Sequence, residues 1–296
     1  MNLDPSQLAA LAAILRSGSF EKAALALRVT PSAVSQRLKA LEERIGAVLV
    51  VRGQPASATE AGQRVLRHAE ELALLERGLG RDLNLDGGGL VTVRLAVNAD
   101  SLATWLVPAM AELAGEGLLF DLMIDDQDHS ADWLRRGEVR AAVSGDPDPV
   151  QGCDCFALGA LTYVPTASPA FRQRWFADGV TRAALARAPA LTFNAKDGLQ
   201  IAWLDKAVGP GLAPPTHWLA STHAFVDAAL AGLGWGMNPE PLVRAALAEG
   251  RLCELIPGTR LAVPLYWHVS RSVAAALHPV TRALRAAAAA QLAPIP

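Results

Sequence analysis

The chain has 296 residues, 51% hydrophobic and 19% charged, with 27 Lys+Arg against 29 Asp+Glu; that is enough for two or three domains and too apolar for a disordered or fibrous chain. A net charge of -2 excludes wholesale coating of nucleic acid but permits a local basic footprint. No apolar run is long and uncharged enough to span a bilayer, Asp4 stands where a signal peptide carries Lys or Arg, and three cysteines suit neither a disulfide framework nor a zinc site, so a reduced cytoplasmic protein with no metal and no membrane contact is expected.

The first 50 residues read as three short helices. Asp4, Pro5 and Gln7 make a capping-box start, followed by Leu8, Leu11, Ala12 and Leu15 at helical spacing and a stop at Gly18. Ser19 caps a second helix with Ala23, Ala24 and Leu27 inward. Thr30-Pro31 opens a third, whose stripe Val34, Leu38, Leu41 and Ile45 is core and whose stripe Ser32, Ser35, Gln36 and Lys39 is short and polar. Two β-rich stretches, Val48 to Arg52 and Ala56 to Thr59, flank the turn Gly53-Gln54-Pro55 as a wing. From Thr59 to about Leu83 one helix carries Val65, Ala69, Leu72, Leu75 and Leu79 in an apolar stripe that needs a partner, and a second copy of the chain would supply it. Asp86-Gly-Gly-Gly89 reads as a hinge.

Beyond the hinge, strands alternate with helices: strand Val91 to Val97, helix Ser101 to Ala114, strand Leu118 to Ile124, helix Ser130 to Gly137, strand Ala141 to Ser144. A second set follows Thr162, with strands near Ala190 to Phe193, Gly234 to Asn238 and Tyr266 to Ser270. This succession predicts parallel sheet covered by helices, in two α/β lobes with a cleft between them.

The pair of helices from Phe20 to Glu42 has helix-turn-helix spacing. Ser32, Ser35, Gln36 and Lys39 would then face bases and phosphates, and Arg37 and the wing residue Arg52 suit phosphate contacts; a three-helix bundle with a solvated face is the competing reading. Phe20-Glu-Lys-Ala-Ala24, the run Thr30 to Glu42, Arg52 and Thr59-Glu-Ala-Gly62 resemble the winged helix-turn-helix of LysR-type transcriptional regulators. Leu95 to Pro108, Leu134 to Val139, Ser221 to Phe225 and Leu265 to His268 look like the ArgP/LysG subgroup of that family, and the resemblance spans essentially the whole chain. It implies a winged helix-turn-helix at 1–59, a dimerising linker helix at 60–86, and an α/β, two-lobed periplasmic-binding-protein-like effector domain at 87–296, with lobe I at about 90–163 and 268–296 and lobe II at about 164–267. It also implies a regulator that senses L-lysine or L-arginine and activates a gene for an amino-acid exporter. Asn194 and Asn238 depart from the subgroup's expected acidic or small apolar residues.

The residues independently suit a cationic ligand. Asp121, Asp125, Asp126, Asp128, Asp132 and Glu138 face only Arg135 and Arg136 in the same stretch, and Asp125 and Asp126 follow a strand at the end where open α/β sheets bind ligands. A buried cation needs such a carboxylate, although a solvated acidic loop gives the same pattern. Asp125 or Asp126 is thus expected to take the side-chain cation, Asp100 the α-ammonium or a second contact, and Ser101, Thr192, Ser221 and Thr222 the polar and carboxylate groups. Trp105 is expected to pack on a ligand stem or in the core. Alternating Gly232, Gly234 and Gly236 do not form a dinucleotide motif, and no nucleophile-base set is assembled, so no catalytic residue, enzyme activity or cofactor is expected. The partners expected are double-stranded operator DNA, the amino-acid effector, RNA polymerase and further copies in a homodimer or homotetramer. Rival readings are an enzyme built on the lobes, a nucleoid or replication-origin-binding protein, and a LysR-type regulator with another effector.

Overall fold

A computed structural model describes residues 3–85, 89–125 and 130–295, with the backbone alone at 125, 130 and 131. Residues 86–88 of the expected hinge at 86–89, together with Asp126 and Asp128, lie outside the described residues. The chain divides into two compact units, residues 1–93 with 117–120 and 275–277, and residues 94–116 with 121–274 and 278–296.

In the first unit, α1 (Pro5–Ser17), α2 (Phe20–Leu27) and α3 (Pro31–Ile45) form where the caps predict. Asp4 accepts from the Ser6 N–H at 2.7 Å, Ser19 from Lys22 at 3.3 Å and Thr30 from Ala33 at 3.2 Å, satisfying donors that each first turn leaves open. The reciprocal half of the first capping box is absent, because Gln7 Oε1 is buried without a partner. Leu8, Leu11, Ile14, Ala23, Ala24, Val34, Leu38 and Leu41 form the core; Leu15, Leu27 and Ile45 are only half-buried at its margin. The wing strands β1 (Val50–Val51) and β2 (Ser57–Ala58) are antiparallel and shorter than expected. Glu42 of α3 accepts from the Leu49 and Val50 N–H groups at 2.8 and 3.4 Å, taking donors that a longer ladder would use.

Thr59 caps the long helix α4 (Glu60–Asp82) through Gly62 N–H at 3.0 Å and donates to the Val48 carbonyl at 2.7 Å. A Cβ on Gly62 would collide with the Leu49 carbonyl, so the glycine permits α4 to start against the wing. The apolar stripe of α4 divides in two. Val65, Ala69 and Leu72 pack on the winged-helix core of the same chain, while Leu75 and Leu79 are 43% and 59% exposed.

In the second unit, β3 (Val91–Asn98) is followed by a helix that starts at Ala99, earlier than expected, and is broken into α5 (Ala99–Ser101), a π turn (Leu102–Leu106), α6 (Val107–Ala111) and a 3-10 turn (Ala114–Glu116). Then come β4 (Leu118–Asp125), α7 (Ser130–Arg135), β5 (Ala141–Ser144), β6 (Cys153–Ala167), α8 (Pro169–Trp175) and α9 (Arg182–Leu185). The remainder is β7 (Ala190–Thr192), α10 (Leu199–Val208), β8 (Thr216–Trp218), α11 (Thr222–Leu230), β9 (Gly236–Pro239), α12 (Glu240–Ala248), β10 (Cys253–Glu254), β11 (Leu261–Ser270) and α13 (His278–Gln291).

The main sheet runs β10-β6-β11-β5-β3-β4, with β9 also on β6. Its expected parallel character holds for β3 on β5 only in part of the sheet; β11 on β5 and β10, β11 and β9 on β6 are antiparallel. The cause is β6, which was not anticipated as a strand. It leaves one lobe for the other and pairs with the returning β11 from Cys153 opposite Ser270 to Tyr163 opposite Leu261. In the second lobe, β7 and β8 are parallel, and a parallel bridge joins Ala190 to Trp235 ahead of β9. α13 returns to pack on α6 and the π turn. Trp105 is in the core, 1% exposed. Among the described residues no helix is long and apolar enough to cross a membrane.

Candidate functional site

The first unit offers a groove lined by Ser32 and Ser35 of α3, the start of α2 from Ser19 to Lys22, and the wing from Arg52 to Pro55. Gln36 and Lys39 are exposed beside it; Arg37 is half-buried. The Arg52 guanidinium lies 5.5 Å from the Phe20 ring centroid, a cation-π contact that holds a wing charge against the start of α2 at this groove. Lys39 is only loosely paired with Glu43, at 3.6 Å on an exposed surface, so its charge remains usable.

The second unit has a cavity between its lobes. Lobe I contributes Asn98, Ala99 and Asp100 from the end of β3 and the turn into α5; lobe II contributes Phe193, Asp197 and Leu199 after β7, Thr222 and Phe225 of α11, and Met237 and Pro239 of β9. A Cβ on Gly236 would collide with the Phe225 ring; the close approach of α11 to β9 therefore needs this glycine, and it explains part of the Gly232-Gly234-Gly236 pattern.

Asp100 joins the lobes. Its Oδ1 accepts from the Thr222 hydroxyl and its Oδ2 from the Tyr163 hydroxyl, both at 2.7 Å. Desolvation pushes the Asp100 carboxyl above the ordinary carboxylate range, the two hydroxyls pull it back, and the Asp197 charge adds to the rise. Asp197 is fixed by its own backbone, accepting from Phe193 N–H at 2.9 Å and Leu199 N–H at 3.0 Å. Asn194 shapes that turn by accepting from Lys196 N–H at 2.7 Å. The described lining therefore has two carboxylates and no basic side chain, an environment that favours a cation.

Of the effector residues expected from sequence, Asp100 and Thr222 meet in this cavity. Ser101 is fully buried next to Asp100, Thr192 is buried at the end of β7, and Ser221 is exposed and spent capping α11 through Ala224 N–H; none of the three lines the cavity. Asp125 ends β4, the edge strand of the sheet that neighbours β3. Among the described side chains of the acidic stretch, Asp121 pairs with Arg94, Asp132 with Arg135 and Glu138 with Arg136, each at 2.7 Å. The sequence reading missed Asp197 and Asn98. The signal available was position, since both follow strands at the end facing the cleft. Asn238, the other subgroup departure, is buried and donates to Thr166 Oγ1 at 2.9 Å. Among the described residues no cluster could hold a metal ion.

Residues 5–63 match the model of the bacterial regulatory helix-turn-helix protein, lysR family, and residues 87–293 that of the LysR substrate binding domain. The chain belongs to the LysR family of transcriptional regulators. Within that family it is 46% identical over 290 residues to the HTH-type transcriptional regulator LysG of Mycobacterium bovis, covering 97% of this chain and 94% of that one. The crystal structure of ArgP from Mycobacterium tuberculosis superposes with a TM-score of 0.78 at 44% identity, over 99% of this chain and 100% of that one. Full-length LysG from Corynebacterium glutamicum with bound effector Arg gives 0.68 at 36% identity, over 98% and 100%. As a LysR-type regulator of the LysG and ArgP kind, the chain is a DNA-binding protein built from a winged helix-turn-helix and a two-lobed sensor, and its relatives are named as regulators, not as enzymes.

Proposed function

We propose that this LysR-family regulator is switched by a basic amino acid, L-lysine or L-arginine, held in the cleft between the lobes. The observation that carries the reading is the pair of carboxylates, Asp100 and Asp197, in a lining with no basic side chain among the described residues. A basic amino acid brings two cations to two acids, whereas a neutral amino acid brings one. The apolar walls Phe193, Leu199, Phe225 and Met237 suit the methylene stem between them. The bound effector Arg of the Corynebacterium glutamicum relative supports the same ligand class. Asp100 takes the α-ammonium and Asp197, in place of Asp125 or Asp126, takes the side-chain cation.

In this reading the domain limits are 1–59, 60–86 and 87–296. Ser32, Ser35, Gln36 and Lys39 face the operator, with Arg37 and Arg52 on phosphates. Copies associate as a homodimer or homotetramer in the cytoplasm, and the regulator activates an amino-acid exporter gene through RNA polymerase. A ligand gripped by both lobes favours the closed form by its differential affinity, and this bias is what reaches the DNA-binding units. Isothermal titration of the full chain against the twenty amino acids tests the reading. Binding confined to lysine and arginine supports it, and preference for any neutral or acidic amino acid overturns the effector assignment.

A further inference from the structure

We propose that Asn98 is a ligand-binding residue of this cleft, its amide holding the α-carboxylate of the effector, and that it makes the site select amino acids over the corresponding diamines. The inference rests on the preceding reading of the cleft and goes beyond it by naming the group that reads the ligand's negative charge.

Asn98 is the last residue of β3 and lines the cavity, yet it is only 3% exposed, and neither Oδ1 nor Nδ2 has a hydrogen-bond partner. A buried amide with both ends unpaired is unusual and costly. The surrounding chemistry defines what would satisfy it. Asp100 and Asp197 attract the two cations of lysine and repel its carboxylate. The Thr222 hydroxyl, the other neutral polar side chain of the lining, already gives its proton to Asp100. Asn98 Nδ2 therefore carries the side-chain N–H groups in the lining whose hydrogens are unspent, and Oδ1 remains to accept from the α-ammonium. One amide thus meets both charges of an amino-acid head, while the acids meet both cations.

A diamine such as 1,5-diaminopentane keeps the two cations of lysine and lacks the carboxylate, so the ratio of the two affinities isolates the contribution of the Asn98 Nδ2 group. The test is calorimetric titration of the full chain and its Asn98→Asp and Asn98→Ala variants with L-lysine and with 1,5-diaminopentane, after thermal unfolding has established that each variant folds. The parent should bind lysine on the order of ten- to a hundredfold more tightly than the diamine, as expected for a charge-assisted hydrogen bond. Asn98→Ala should lose that preference, weakening lysine more than the diamine, and Asn98→Asp, which sets a third carboxylate against the ligand's, should reverse it. A parent that does not discriminate, or variants that keep the parent's ratio of the two affinities, overturn the proposal. If Asn98→Asp does not fold, the ratio measured with Asn98→Ala decides alone. A parent that binds neither lysine nor arginine overturns the reading of the cleft, and with it this assignment.

Discussion

At the scale of single residues, Asp100 is held at a desolvation cost. Its carboxyl is raised above the ordinary range by desolvation first and by Asp197 last, so the folded state retains a proton that the unfolded chain has released. The native state therefore loses relative stability as pH rises from the unfolded-state value through the raised folded one. Asp100→Asn removes that slope: its unliganded thermal midpoint at pH 7 should equal or exceed the parent's, while lysine affinity falls roughly ten- to a hundredfold. A variant that is less stable and still binds lysine normally would contradict both halves. On the DNA side, Gln36→Ala should alter base preference by about 1 to 3 kcal/mol at one position, whereas Arg52→Ala should weaken all sequences alike and flatten the salt dependence. Unchanged footprints for both variants would count against the assigned face. Asp100 and Thr222 were legible in the sequence because each stands at the junction of an apolar run and a helix cap. Asp197 was not, because Asp197-Gly198 reads as ordinary turn chemistry, and only the fold brings that turn to Asp100.

At the scale of elements, α4 belongs to its own chain for half its length. Leu72 touches the winged-helix core, so Leu72→Asp should destabilise that unit by about 1 to 3 kcal/mol and lose DNA binding through unfolding. Leu79, 59% exposed, carries the association test: Leu79→Asp should keep the parent's helicity and thermal midpoint and shift sedimentation toward the monomer. A Leu79→Asp protein that stays fully associated would move the interface to the effector domains. The three short helices could be read ahead of the structure because caps and left-handed glycines are local signals. β6 could not, since its fifteen residues include Gly159 and Pro165 and lack a clean alternation, and its extended state is set by pairing with β11, far away in sequence. The break after β3 was equally hidden, because a π turn keeps the apolar spacing of an α-helix close enough to pass for one.

At the scale of the whole molecule, the two crossing strands also carry a titratable group. His268 of β11 is fully buried, and its Nε2 meets the Asp146 carbonyl at 2.9 Å; a carbonyl can only accept, so Nε2 carries a proton, while Nδ1 is buried with no hydrogen-bond partner. Desolvation pushes its pKa down, with Arg135 adding to that, while the Asp146 carbonyl contact and carboxylate oppose. The unfolded chain then binds the extra proton first, and the stability that His268 contributes is lost as pH falls below the ordinary histidine value of about 6.5. Thermal midpoints measured from pH 7.5 to 5 should decline in the parent and decline less in His268→Gln. Parallel curves would remove His268 from the account.

The pairing of β6 with β11 has a consequence for how such sensors can be recombined. Because entry to and exit from lobe II run on neighbouring, hydrogen-bonded strands, that lobe is topologically an insertion carried on a two-stranded stalk, and its ends are adjacent in space. A graft cut on the stalk, at Gly159 on one strand and at the irregularity between Leu265 and Tyr266 on the other, where Leu265 lies opposite Gly159, would exchange Asp197, Thr222 and the apolar walls as one cassette. Asn98 and Asp100 would stay behind with the host. On the proposed reading of the cleft, such a chimera would read the amino-acid head and the side chain with parts of different origin, which makes the stalk a natural seam for building regulators of new effector range.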